Sequence, residues 1–252
     1  MGVTSEGRRS ASRATKARLV LHDDRYFDPE PTVRRVARAI YEETRALPLI
    51  CPHGHVEASL LARDTAFPEP TTLLITPDHY IFRLLYSQGV PLETLGITAR
   101  DGSPAETDPR AVWQRFAERY YLFRGTPTAA WLDYQLAVVF GVDTRLDADS
   151  AQYVYDELAE RLGSPEFRPR SLFERFGVEV LTTTNGATET LEHHRALRAS
   201  GWKGVVLPCF RPDAALRIAS PSWRSEIDAL SRLAGGEVRD VRSFVKTLEL
   251  SP

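Results

Sequence analysis

The sequence predicts an α/β protein built around a parallel sheet, and three observations predict it. A short apolar run from Leu47 ends in the polar triplet His53-Gly54-His55. Two more apolar runs, Val178 to Thr183 and Gly204 to Cys209, enclose a single helical pattern. Between the first run and the second, only the helical period recurs. A strand, a crossover helix and a further strand in that order form a parallel pair, whose functional groups collect at the C-terminal strand ends.

Each element has its own reason. Residues 1–18 read as a disordered tail, because the start is rich in Ser, Arg and Ala and lacks the apolar core of a secretory signal. An organelle transit peptide is the alternative, opposed by Glu6 and by the lack of an amphipathic period. Residues 19–57 hold a first helix and strand 1. Val33, Val36, Ala37 and Ile40 fall at helical spacing between Pro31 and Pro48, and Leu47 to His55 reads as a buried strand.

Residues 58–169 read as a helical insertion, with helices over 78–87, 109–123, 126–140 and 150–162 punctuated by Gly89, Pro91, Gly125, Pro127, Gly141 and Gly163. Its aromatics Trp113, Phe116 and Tyr120 have the spacing of core residues. Residues 170–252 return to β/α units, with helices over 188–199, 223–233 and 238–248. Three strands and so large an insertion fall short of a complete barrel, which takes ~250 residues without one. The expected fold is a partial (β/α)8 TIM-type barrel, its first few units present and the chain ending before closure.

Composition narrows the function. Lys+Arg 32 against Asp+Glu 34 leaves a net charge of −2, too little positive field to hold a polyanion, so nucleic acid is not expected as a partner. No apolar stretch reaches the ~18 residues of a membrane helix. Two cysteines, Cys51 and Cys209, lie outside any CxxC spacing, which points to a reducing cytoplasm rather than a disulfide framework.

His53 and His55, two apart at the end of an apolar strand, can present two imidazoles to one divalent ion. A pair of ordinary loop histidines is the alternative, disfavoured by the strand-end position. Asp78-His79-Tyr80 with Arg83 places an acid, an imidazole, a phenol and a guanidinium within a turn and a half of helix. Asp78 also suits a helix N-cap and Arg83 a solvated position. Arg211-Pro212-Asp213 follows the third strand, where an arginine can bind a carboxylate bidentately or simply pair with Asp213. Thr182 to Gly186 ends the second strand with hydroxyls and an amide, a candidate edge for sugar hydroxyls through Thr184 and Asn185. His193 and His194 on the following helix read as surface residues.

These motifs, in this order, resemble the N-terminal part of the uronate isomerase (glucuronate isomerase) family, in the amidohydrolase-like metal-dependent barrel superfamily. The resemblance runs from about Leu21 to Leu250. It is carried by His53-Gly-His55, Asp78-His79-Tyr80 with Arg83, the Phe140-Gly141 helix end, Phe176-Gly-Val-Glu-Val-Leu-Thr-Thr, Leu191-Glu-His-His194 and Leu207-Pro-Cys-Phe-Arg-Pro-Asp213.

What the resemblance implies is aldose–ketose isomerisation of D-glucuronate to D-fructuronate, and of D-galacturonate to D-tagaturonate. His53 and His55 would hold a divalent metal, zinc by expectation. Tyr80, His79 and His53 would be the catalytic groups, and Arg211, Asp213, Arg83, Thr184 and Asn185 would bind substrate. The partners implied are a hexuronate and either further copies of the chain or a complementary C-terminal half.

Two departures accompany the resemblance. Thr183-Thr184-Asn185-Gly186-Ala187 stands where the family commonly has Thr-Thr-Asp-Asp-Pro, and apolar Ala137, Val138 and Val139 replace a frequent basic position. The later strands, with the aspartate that completes the metal site, are missing. A catalytically inactive remnant or a partner-dependent half-barrel is therefore the alternative reading, and a metal-dependent amidohydrolase a second.

Overall fold

The computed structural model describes residues 17–250. The expectation for residues 1–16 thus lies outside the described residues. Ala17 and Arg18, assigned above to the tail, are paired: Arg18 bridges Thr144 in antiparallel sense, and the Arg145 amide donates to the Ala17 carbonyl at 2.8 Å.

In chain order the elements are α1 (Pro31–Thr44), β1 (Leu49–Cys51), α2 (Ala58–Arg63), α3 (Pro70–Leu74) and α4 (His79–Ser87). The next are α5 (Pro109–Ala117), α6 (Pro127–Tyr134), α7 (Ala151–Leu162) and α8 (Pro169–Arg175). The last are β2 (Val178–Gly186), α9 (Glu192–Ala199), β3 (Val205–Arg211), α10 (Asp213–Leu216), α11 (Trp223–Ala234) and α12 (Val241–Glu249). They form two compact units, one of residues up to 41 with 67–167 and the other of 42–66 with residues from 168 onward.

The helical unit starts its helices where the sequence supplies caps. Prolines stand in the first turns of α3, α5 and α6, and Glu69, Asp78, Asp108 and Thr126 accept backbone N–H groups ahead of α3, α4, α5 and α6. Its core is a set of stripes three and four residues apart: Ile81, Phe82 and Leu85 from α4, Val112, Trp113 and Phe116 from α5, and Val154, Leu158 and Leu162 from α7. Two expected helices are interrupted. That over 109–123 ends at Ala117 and resumes as a 3-10 turn, Tyr120–Phe123. That over 126–140 gives way after Tyr134 to a π-helical turn, Gln135–Val139, where the Gln135 Oε1 is buried without a hydrogen-bond partner. The apolar stripe of α1, Val33, Val36 and Ile40, has the expected spacing but is exposed.

The second unit carries the sheet. Its strands run β1-β2-β3, all parallel. One face is covered: Leu181 packs with Ala58 and Leu61 of α2, Phe173 of α8 and Leu197 of α9, with Cys51 and Val206 against them. Arg170 ties α8 to α2, its Nε donating to the Leu61 carbonyl at 2.8 Å and its backbone N–H to Asp64 at 3.0 Å. Ala187, Ala215, Ile227 and Leu230 form a second small core beneath α11 and α12. On the other face the in-register Ile50, Val180 and Val205 form an apolar row, with Ile50 64% and Val205 42% exposed.

This corrects the expectation of a buried strand over 47–55. The strand is three residues long, Leu49–Cys51, and mostly exposed, because among the described residues the helices pack on one side of the sheet. No helix among the described residues is long and apolar enough to cross a membrane.

Candidate functional site

The polar groups of the second unit follow the C-terminal ends of its three parallel strands. β1 stops at Cys51, so His53 and His55 sit in the loop beyond it and not on the strand itself. Gly54 explains how that loop lies against β2: a Cβ there would come 2.8 Å from the Thr182 carbonyl oxygen. The Thr182 hydroxyl donates to the Cys51 carbonyl at 3.1 Å and fixes the same junction.

In that loop the two imidazoles converge. His53 Nε2 and His55 Nε2 are 3.0 Å apart, with ring centroids 4.8 Å apart and planes at 84°. Metal–imidazole bonds of ~2.0–2.1 Å would then subtend an angle of about 95° at the ion, and an opening of ~0.3 Å would reach the tetrahedral value. Both rings are exposed, so the ion would not need to enter a closed core. The pair therefore fits two neighbouring positions of a divalent ion. Among the described residues no group of three or more His, Cys, Asp and Glu side chains could hold a metal; the His53/His55 pair is one donor short of the three protein ligands usual for catalytic zinc.

β2 ends in a hydrogen-bonded chain. Thr183, 2% exposed, lies 2.8 Å from His194 Nε2 and donates its hydroxyl to Asn185 Oδ1 at 2.6 Å. Asn185 Nδ2 donates to Glu189 Oε2 at 2.7 Å, and the Gly186 amide donates to Glu189 Oε1 at 2.6 Å. The expectation that His194 is a mere surface residue is corrected here. It stands three residues before buried Leu197 on the inward stripe of α9, and that spacing was the available signal.

Burial pushes the His194 pKa down, opposed by the negative charge of Glu189 and reinforced by His193. A histidine held neutral in the fold binds fewer protons than the unfolded chain. Its stability contribution is thus present above about pH 6.5 and is lost as pH falls through the lowered folded value. In urea titrations across this range, wild type should lose stability on acidification relative to His194→Gln. Parallel pH curves would contradict the assignment.

At the end of β3, Arg211 Nε donates to Asp213 Oδ2 at 3.2 Å, and both side chains are exposed. The structural pair left open by the sequence is thus formed, through one carboxylate oxygen only. Gly186 is the register partner of Arg211 and Thr184 that of Cys209, so the ends of β2 and β3 lie side by side.

The remaining predicted residues, His79, Tyr80 and Arg83, belong to the helical unit. Asp78 caps α4 by accepting the Tyr80 amide at 2.8 Å. Ile81, Phe82 and Leu85 are buried, whereas His79, Tyr80 and Arg83 are exposed, with the His79 and Tyr80 rings 4.3 Å apart.

The fold and this rim define an α/β protein with its polar groups gathered past the C-terminal ends of a parallel sheet. A family model described as glucuronate isomerase matches residues 31–251. A uronate isomerase of Nostoc punctiforme is 49% identical over 231 residues, which cover 91% of this chain and 48% of the relative. One of Rhizobium meliloti is 47% identical over 220 residues, 87% of this chain and 47% of its own.

Among solved structures, glucuronate isomerase from Caulobacter crescentus superposes with a TM-score of 0.88 at 40% identity, covering 93% of this chain and 49% of that one. Uronate isomerase from Thermotoga maritima gives 0.80 at 25% identity, with coverage of 92% and 48%. The chain belongs to the glucuronate isomerase family. It spans about half the length of the relatives it matches.

Proposed function

We propose that the protein acts in aldose–ketose isomerisation of hexuronates, D-glucuronate to D-fructuronate and D-galacturonate to D-tagaturonate. The observation that carries this reading is the pair of facing imidazoles past β1, in a chain that matches the family over residues 31–251. The reaction removes the C2 proton of the open-chain aldehyde, passes through a cis-enediol and returns a proton at C1, while a second proton moves between the two oxygens.

In this reading His53 and His55 would hold a divalent ion, zinc by the family resemblance, which when bound would polarise the substrate oxygens. Tyr80 handles a proton through a phenolic group that both donates and accepts, with His79 beside it. Arg211 meets the carboxylate, and Thr184 meets a hydroxyl. For Arg211 this requires sharing or releasing the bond to Asp213, an exposed pair that costs little to open.

The same reading makes β1-β2-β3 the first arc of a (β/α)8 barrel. Support comes from the sequential parallel order, helices on one face only, and the exposed apolar row of Ile50, Val180 and Val205 on the other. The ligand count favours a second reading beside it, a half-barrel that needs a complementary segment before it turns over substrate. Two free cysteines are compatible with a cytoplasmic location.

Supplying D-glucuronate and D-galacturonate to the chain, with and without zinc, and measuring ketouronate tests both. Turnover by the chain alone removes the half-barrel reading. Turnover only when the relatives' second half is added supports it, and no turnover in either case overturns the isomerase proposal.

A further inference from the structure

The chain of bonds behind β2 has a direction that the chemistry of its donors dictates. A threonine hydroxyl has a single proton; Thr183 directs it to Asn185 Oδ1 at 2.6 Å, with the Leu207 carbonyl a longer second acceptor at 3.4 Å, and neither oxygen has a proton to offer. His194 Nε2, 2.8 Å from the same hydroxyl, must then be the donor, so the ring carries a proton on Nε2. The Asn185 amide is thereby oriented with its nitrogen on Glu189, and Glu189 in turn takes the Gly186 amide.

We infer that His194 is a positioning residue: through Thr183, Asn185 and Glu189 it sets the turn over residues 185–189, which carries the β2 strand end beside Arg211. The turn is fixed by these bonds alone; its bearing on substrate rests on the isomerase reading. Two consequences follow. Asn185 is held to the turn through its oxygen and one N–H, beside Thr184 and Arg211 at the substrate edge. And an aspartate at 185 would set one carboxylate against another at Glu189, where Asn185 now donates.

Hydrogen exchange of the intact chain, read on the segment covering residues 184–190, tests the clasp without any turnover. His194→Ala and Thr183→Val should each speed exchange there about tenfold or more, and the double variant no more than either single one, because both break one chain. His194→Gln, which places an amide N–H near the Nε2 position, should restore much of the protection.

Asn185→Asp should lose protection at neutral pH and regain it on acidification, once one of the two carboxyls is protonated. Imidazole nitrogen NMR of the wild type should show the proton on Nε2 of His194, a signature that no folding defect in a variant can mimic. A proton on Nδ1 alone, unchanged exchange in the single variants, or losses that multiply in the double variant would overturn the assignment. If the clasp holds and no ketouronate forms, the isomerase reading fails by itself; if ketouronate forms without the clasp, only His194 loses its role.

Discussion

Replacing Trp113 with alanine should destabilise the helical unit by about 3–5 kcal/mol, the cost of deleting a fully buried large aromatic. Trp113, on α5, is 1% exposed and contacts α7. Its ring meets Phe116 at 6.0 Å and Tyr155 edge-on at 5.9 Å, and its Nε1 donates to the Ala151 carbonyl at 2.9 Å. Phe116 continues the cluster to Tyr120 and Phe123, each 5.5 Å away, so the cavity would open at the centre of a continuous aromatic core.

Trp113→Phe separates the terms. It keeps most of the ring area and removes the indole N–H, so its cost should fall to about 1–2 kcal/mol. Chemical denaturation of the three proteins, followed by circular dichroism, gives the ordering. Equal stability of wild type and the alanine variant would show that this cluster does not support the fold.

His53→Ala or His55→Ala should weaken zinc binding by about 100-fold or more, since even outer partners of a metal ligand are worth 10–100-fold. Either substitution should cost nearly as much as both, because one remaining imidazole has no chelating partner in the loop. Both rings are exposed, so the variants should unfold at the same denaturant concentration as wild type within about 0.5 kcal/mol. Calorimetric titration with zinc measures the first expectation and denaturation the second. Unchanged zinc affinity in both single variants would remove the two rings from any metal site.

The legible part of this molecule is the part encoded locally. Asp78, Asp108 and Thr126-Pro127 announce helix starts because a capping side chain and a proline act within one turn, and α4, α5 and α6 begin there. The parallel β2–α9–β3 unit was legible for the same reason. Its limits were not: β2 extends to Gly186 because Thr184, Asn185 and Gly186 find register partners in Cys209, Phe210 and Arg211, a fact of tertiary pairing. Helix α9 starts at Glu192, after Leu191 with φ +52°, although the sequence reads as helical from Thr188.

The candidate site divides in the same way. The His53/His55 convergence could be read from two residues and a glycine, although a loop that lies against Thr182 delivers it where strand alternation was the expected cause. The Arg211–Asp213 pair was legible because two residues span it. His194 escaped attention because its role depends on Thr183, eleven residues earlier, and on a turn whose acceptor, Glu189, has no motif of its own. The exposure of Ile50 was equally hidden, since apolarity predicts burial and cannot say which face of a sheet is covered.

X-ray absorption at the zinc edge of the zinc-loaded chain reads the His53/His55 pair most directly. Two imidazole nitrogens at ~2.0–2.1 Å, one of them lost in His53→Ala and one in His55→Ala, is the predicted spectrum. Zinc surrounded by oxygen alone, or an imidazole signal that survives both substitutions unchanged, would contradict it.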